Sequence, residues 1–198
     1  MTLVGTLASC AALSAVTGAT TPLEVYELRA PAGIAATSRR PLPRDVIVEL
    51  PTTGGSLDTD RIMIRPNALQ AQYLPDVRWS ETTPVMVQTL MLRSIEASGV
   101  VRYVARKPLG GSGDYALVTE IVDFQAETMG EDEAATVRIK FIVRAVRESD
   151  AAIIASRTFE ATAEAPSTET HVLAETFNTA SDAVFTEFAA WLVSVLRG

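Results

Sequence analysis

From Val137 to Arg147 apolar and charged side chains alternate almost without a break. Val137, Ile139, Phe141, Val143 and Ala145 share one phase, and Arg138, Lys140, Arg144 and Arg147 lie on or near the other. A period of two puts successive side chains on opposite faces of a strand, so this segment predicts a half-buried strand. Asp114–Glu127 before it and Ala152–Ala163 after it read as long strands joined to it by short turns, the second turn at Glu148–Asp150. Three such strands predict an antiparallel meander. Upstream, 23–28 (LEVYEL) reads as a short edge strand. Residues 29–44, with three prolines and a glycine, read as a loop. Asp45–Leu50 (DVIVEL) reads as a buried strand, and 51–56 as a turn. Arg61–Arg65 and Leu69–Tyr73 read as a hairpin, and Val100–Ala105 as a further strand.

Two stretches change to helical spacing. After Thr83-Pro84, the residues Val87, Leu90, Met91, Ser94, Ile95 and Ser98 recur at threes and fours. Thr83 is expected to cap this helix, Pro84 to open its first turn and Gly99 to stop it. Leu173, Phe177, Ala180, Val184, Phe188, Trp191 and Val195 form a longer stripe ending near Arg197, with Ser167 or Thr168 as its expected cap. Phe141 and Trp191 are expected in the core. The fold class is therefore α+β: a two-layer sandwich, a mostly antiparallel sheet of about five strands with two helices packed on one face. No repeat of 20–50 residues occurs.

Charge divides the chain. Up to Lys107 there are 11 basic and 9 acidic residues; from Pro108 on there are 6 and 15. No basic stripe is interleaved with aromatics, so nucleic-acid binding is not expected. Unlike halves allow head-to-tail self-association, which closes into a homo-oligomeric ring when the rotation permits; solvated surface is the simpler alternative.

The chain has one cysteine, so neither an internal disulfide framework nor a cysteine-rich zinc site is open to it. That residue, Cys10, ends the run Leu7-Ala8-Ser9-Cys10. An apolar stretch, two small residues and a cysteine form the end of a bacterial lipoprotein signal peptide, with the cysteine as the acylated residue. Only nine residues precede it and none is basic, so residues 1–9 are expected to be a signal remnant. Residues 10–22 are uncharged and suit a flexible tether, leaving 23–198 as one domain. Several acyl chains, palmitate among them, would anchor Cys10 to a membrane, because each buried methylene adds ~0.8 kcal/mol.

Catalytic signatures are sparse. His171 is the lone histidine, and no Gly-x-Ser-x-Gly elbow accompanies it. Gly110-Gly111-Ser112-Gly113 lacks the lysine a phosphate loop needs. Asp58 with Asp60, and Glu131 to Glu133, do not match a calcium loop. No enzyme activity, metal or cofactor is expected. Arg61, Arg65, Arg78 and Trp79 are candidate partner-binding residues, since arginine and tryptophan are the commonest interface anchors. The alternative is that the arginines pair with the domain's own acids and Trp79 packs under the first helix.

The order of these segments is a pattern. Cys10, the Tyr26-x-Leu28 strand, VIVELP, LDTDRIMIR, Tyr73-x5-Trp79-x4-Pro84 and a helix are followed by GDYALVTEIVDF, the alternating strand, RTFEA and a helix ending AAWL. This chain resembles the ABC-type transport auxiliary lipoproteins over almost its whole mature length. The resemblance implies a non-catalytic partner of an MCE-type lipid transport system. Such a lipoprotein docks an MCE-domain protein at the periplasmic face of the outer membrane. Ala11, rather than aspartate, follows Cys10, so the usual inner-membrane retention signal is missing. The alternative is an envelope lipoprotein that regulates cell-wall or secretion machinery through protein contacts.

Overall fold

A computed structural model describes residues 23–34, 40–128 and 134–198. Cys10, the tether and Glu131 to Glu133 lie outside the described residues. The long strand β8 (Tyr115–Thr128) sits at the centre of an eight-stranded sheet. On one side it pairs antiparallel with β9 (Ala135–Arg147), which pairs in turn with β10 (Ala152–Ala165). Its other side is lined by three pieces of a broken strand, all parallel to it. These are β2 (Leu42–Val48), β3 (Thr52–Thr53) and β4 (Met63–Asn67). β4 forms a hairpin with β5 (Gln70–Tyr73), and β7 (Val101–Ala105) extends the sheet beyond β2 in parallel. The sheet is thus mixed rather than strictly antiparallel. Two short strands, β1 (Glu24–Tyr26) and β6 (Val77–Trp79), pair apart from it.

Side chains close the breaks in the strand beside β8. The hydroxyls of Thr52 and Thr53 donate to the carbonyls of Thr119 and Ile121, at 3.4 and 3.1 Å. Where β2 ends, the buried Gln88 carboxamide donates to the Val48 carbonyl at 2.8 Å, and Arg106 Nε donates to Gln88 Oε1 at 2.9 Å. The carbonyls of Val48, Thr119 and Ile121 thus gain side-chain donors beside the breaks.

Helix α1 (Thr83–Ser98) and helix α2 (Thr170–Arg197) share one face of the sheet and touch each other. All six expected inward residues of α1 are buried, and Gly99 stops it in the left-handed region at φ 59°. The cap is Thr82, not Thr83. The Thr83 hydroxyl donates to the Thr59 carbonyl at 3.2 Å, so it is spent on a tertiary bond. The cap of α2 is Glu169, not Ser167 or Thr168. Ser167 Oγ accepts from the Glu169 N–H in the turn ahead of it. By length and composition α2 could cross a bilayer. Here its apolar stripe is covered instead, with Leu173, Phe177, Phe185, Phe188 and Leu192 all buried against the sheet.

The inner phase of β9, from Val137 to Ala145, is fully buried. Phe141 stacks on Phe185 at 5.4 Å and meets Phe159 at 5.5 Å. Trp191 lies at the margin, half-buried and edge-on to Phe159 at 5.4 Å. A second aromatic group joins Trp79, Phe124 and Phe177, with centroids 5.2–6.2 Å apart. Gly113 is needed for space: a Cβ there would fall 2.8 Å from Ile47 Cγ1.

Phe141→Ala should destabilise the domain by about 3–5 kcal/mol, the usual result of truncating a buried aromatic. Trp191→Ala, at the margin of the core, should cost roughly 2 kcal/mol. Urea unfolding of both variants checks the order, and an equal or reversed effect would mean that the core is centred elsewhere.

Candidate functional site

The residues singled out as partner-binding all fall between residues 61 and 79, in and around the β4–β5 hairpin. The chain before the hairpin is laced to the chain after it. Trp79 N–H donates to the Asp60 carbonyl at 2.7 Å, and Leu74 N–H to the Ile62 carbonyl at 3.0 Å. This lacing, with β1 pairing beside β6, drives Trp79 into the core, where it is 1% exposed. Trp79 is therefore a packing residue beneath the surface and not a contact residue, which corrects its assignment from sequence. Arg78 reaches Asp60 at 3.4 Å, a pair with both side chains well exposed. Exposed pairs of this kind contribute little, ~0–1 kcal/mol. Arg61 lies over the Tyr73 ring at 4.8 Å, and Tyr73 donates its hydroxyl to the Ser56 carbonyl at 2.8 Å. Leu69, at the hairpin tip, is 98% exposed. Arg61 and Arg78 thus flank the base of the hairpin, Leu69 stands at its tip, and Arg65 lies between them on β4.

Arg65 lines a cleft of about 530 Å³ with Asn67, Asp123, Gln125, Glu127 and Arg138. The cleft opens on the sheet face that carries no helix. Its floor follows from an irregularity in β8. The register shifts between Ile121 and Asp123, and Gln125 Oε1 accepts the Phe124 N–H at 2.8 Å. The same buried carboxamide donates to Asp123 Oδ1 at 2.9 Å and to Glu127 Oε1 at 3.1 Å. Sequence reading passed over Gln125 because a lone glutamine in a strand carries no signal of such a role.

The rest of this open face is a charge ladder. Arg138 bridges Glu127 at 3.1 Å and Glu160 at 2.6 Å, and Lys140 meets Glu160 at 3.0 Å. On this face β9 is basic and its neighbours β8 and β10 are acidic, so paired charges meet the solvent there. Burial alone would raise the Glu127 carboxyl, but hydrogen bonds from Arg138 and Gln125 and the charges of Arg138 and Arg65 outweigh it. The group is held below its ordinary value. Hydrogen bonds from Lys140 and Arg138 lower Glu160 in the same way.

His171 is largely exposed at the start of α2, with Nδ1 3.6 Å from Glu169. It borders a shallow cleft with Tyr26, Arg29 and Asn178. The glycine-rich loop has its Gly113 N–H donating to Glu148 Oε2 at 2.5 Å, so a carboxylate of the domain itself already takes that amide. Among the described residues no group of three His, Cys, Asp or Glu side chains is placed to hold a metal.

The family described as the ABC-type transport auxiliary lipoprotein component matches residues 26–189. A curated relative, the uncharacterized protein bll6063 of Bradyrhizobium diazoefficiens, is 25% identical over 92% of this chain. The chain spans about half, 49%, of that relative's length. Among solved structures, protein XCC0632 of Xanthomonas campestris superposes with a TM-score of 0.76 at 24% identity, over 87% of this chain and 96% of that one. The hypothetical protein CT253 of Chlamydia trachomatis superposes with a TM-score of 0.52 at 11% identity, over 78% and 99%. These structural likenesses establish a shared fold.

The ladder predicts a pH dependence. Both folded-state carboxyls are depressed, so their contribution is fully present above the ordinary value of 4.5 and is lost as pH falls through the folded values below it. Wild-type stability, followed by urea midpoints between about pH 6 and pH 3, should therefore fall more steeply than that of a Glu127→Gln, Glu160→Gln variant. Parallel curves would show that the ladder carries no such linkage.

Proposed function

The chain belongs to the family of ABC-type transport auxiliary lipoprotein components, and from that premise we propose that it is the lipid-anchored docking component of an MCE-type lipid transport system. The observation that carries the reading is the extent of the family match. It runs from Tyr26, the last residue of β1, to Ala189 in α2 and so takes in the hairpin, α1, most of α2 and the whole eight-stranded sheet. Membership supports a seat in the cell envelope and service to a transporter. The finer assignments are our own: acyl chains on Cys10, the periplasmic face of the outer membrane as its seat, and an MCE-domain protein as its partner.

In this reading the domain contributes binding and no chemistry. The tether gives reach, the aromatic core gives a rigid body, and the hairpin end bearing Arg61, Arg65 and Arg78 meets the partner. Arginine suits such a surface because its planar fork makes paired, charge-assisted hydrogen bonds. Among the described residues the sheet is edged by β10 on one side and by β7 and β5 on the other. Pairing of unlike edges between copies is the route by which a homo-oligomeric ring would form.

Two experiments test the proposal. With the chain expressed behind a full export signal, metabolic acyl labelling should mark the wild type and leave Cys10→Ala unlabelled. Equal label in both removes the anchor. For the partner surface, the Arg61→Glu, Arg65→Glu variant should keep its circular dichroism spectrum and capture the MCE-domain protein from solubilised envelope about tenfold less tightly or worse. Wild-type capture by the folded variant removes the hairpin end from the interface.

A further inference from the structure

Pairing of β4 with β8 ends at Arg65, opposite Glu127. Pro66 follows and has no N–H with which to continue a ladder. The chain parts from β8 there, and the cleft of about 530 Å³ lies beside the separation. Its two arginines differ. Arg138 is committed to Glu127 and Glu160. Arg65 has no ion pair and no side-chain hydrogen bond among the described residues, and its Nε is shut off from water without an acceptor. The acids nearby are engaged elsewhere. Glu127 accepts from Arg138 and Gln125, and Asp123 accepts from Gln125. Arg65 therefore brings to this polar cleft a guanidinium that none of these carboxylates takes as an ion-pair partner, and such a fork can make paired, charge-assisted hydrogen bonds to one more oxyanion.

We propose that this cleft binds a single carboxylate of the kind a protein side chain presents, with Arg65 as the anchor. The proposal rests on the docking reading above and names the partner group that reading requires. An anionic lipid surface fits poorly. The same sheet face displays Glu120, Glu160 and Glu164 around its basic row, and a plane of negative headgroups would press against them all. One carboxylate on a protruding segment reaches Arg65 without that repulsion. The exposed Leu69 at the neighbouring hairpin tip offers such a segment an apolar rim contact.

The test is a nuclear magnetic resonance titration of the full chain. The probes are N-acetyl-glutamate amide and, separately, inorganic phosphate. The reporters are the Arg65 Nε–H signal, assigned by its loss in Arg65→Lys, and the Thr128 amide. Saturable shifts with the glutamate probe in the millimolar range support the site. They should persist in Arg144→Gln and weaken about tenfold or more at Thr128 in Arg65→Gln. No saturable shift, or equal binding by Arg65→Gln, overturns it. Tighter binding of phosphate overturns the assignment to a protein carboxylate. Capture of the MCE-domain protein is measured in parallel. Lost capture by Arg65→Gln without probe binding sinks the cleft and leaves the docking reading standing. Probe binding with undiminished capture does the reverse.

Discussion

The fold depends on β8 being paired along both of its edges. A strand of 14 residues buried at the centre of a sheet presents amides and carbonyls to both sides, and each needs a partner. On one side β9 supplies them in a nearly continuous antiparallel ladder. On the other, three short parallel pieces of one segment supply them in turn, with Thr52, Thr53 and Gln88 completing the joints. Placing β2, β3 and β4 in this way fixes everything between them, including the position of the β4–β5 hairpin and the point at which Pro66 parts it from β8. The cleft, the arginine end and the seat of Trp79 all descend from that arrangement.

The two faces of the sheet then divide the work. The inner phase of β8 and β9 meets the aromatic stripe of α2, and two groups of rings make the domain a stiff body. The outer phase is a ladder of paired charges that keeps an uncovered sheet in water. A docking component needs both properties: a body that does not deform under load, and a surface whose contacts are polar, oriented and reversible. Arg65 differs from Arg138, Arg144 and Arg147 of that face because it forms no ion pair among the described residues.

Much of this was legible in the residues. The two-residue period from Val137 to Ala145 and the stripe from Leu173 to Phe188 each run for many residues, so the periodicity is unambiguous and the buried sides are those expected. Short or non-local features were not legible. β6 is three residues long, and Arg-Trp-Ser in a charged neighbourhood reads as surface until β1 pairs beside it. The parallel pairing of β2, β3 and β4 with β8 joins residues about 60 to 70 apart, which local alternation cannot register. The sequence points to Thr83 as the cap of α1, whereas the cap falls on Thr82; the Thr83 hydroxyl is taken by Thr59, more than 20 residues away. The cleft needed the β8 irregularity, Gln125 and Pro66 together, and none of the three carries a motif.

The central claim is that this domain meets a transport partner through its hairpin end. Site-specific photocrosslinking in living cells tests it most directly. A photoreactive side chain is placed at the tip, Leu69, and another at Ile153, exposed at the opposite end of the long strands. The account predicts an adduct with the MCE-domain protein from position 69 and none from position 153. An adduct from 153 alone, or none with any transport component from 69, would contradict it.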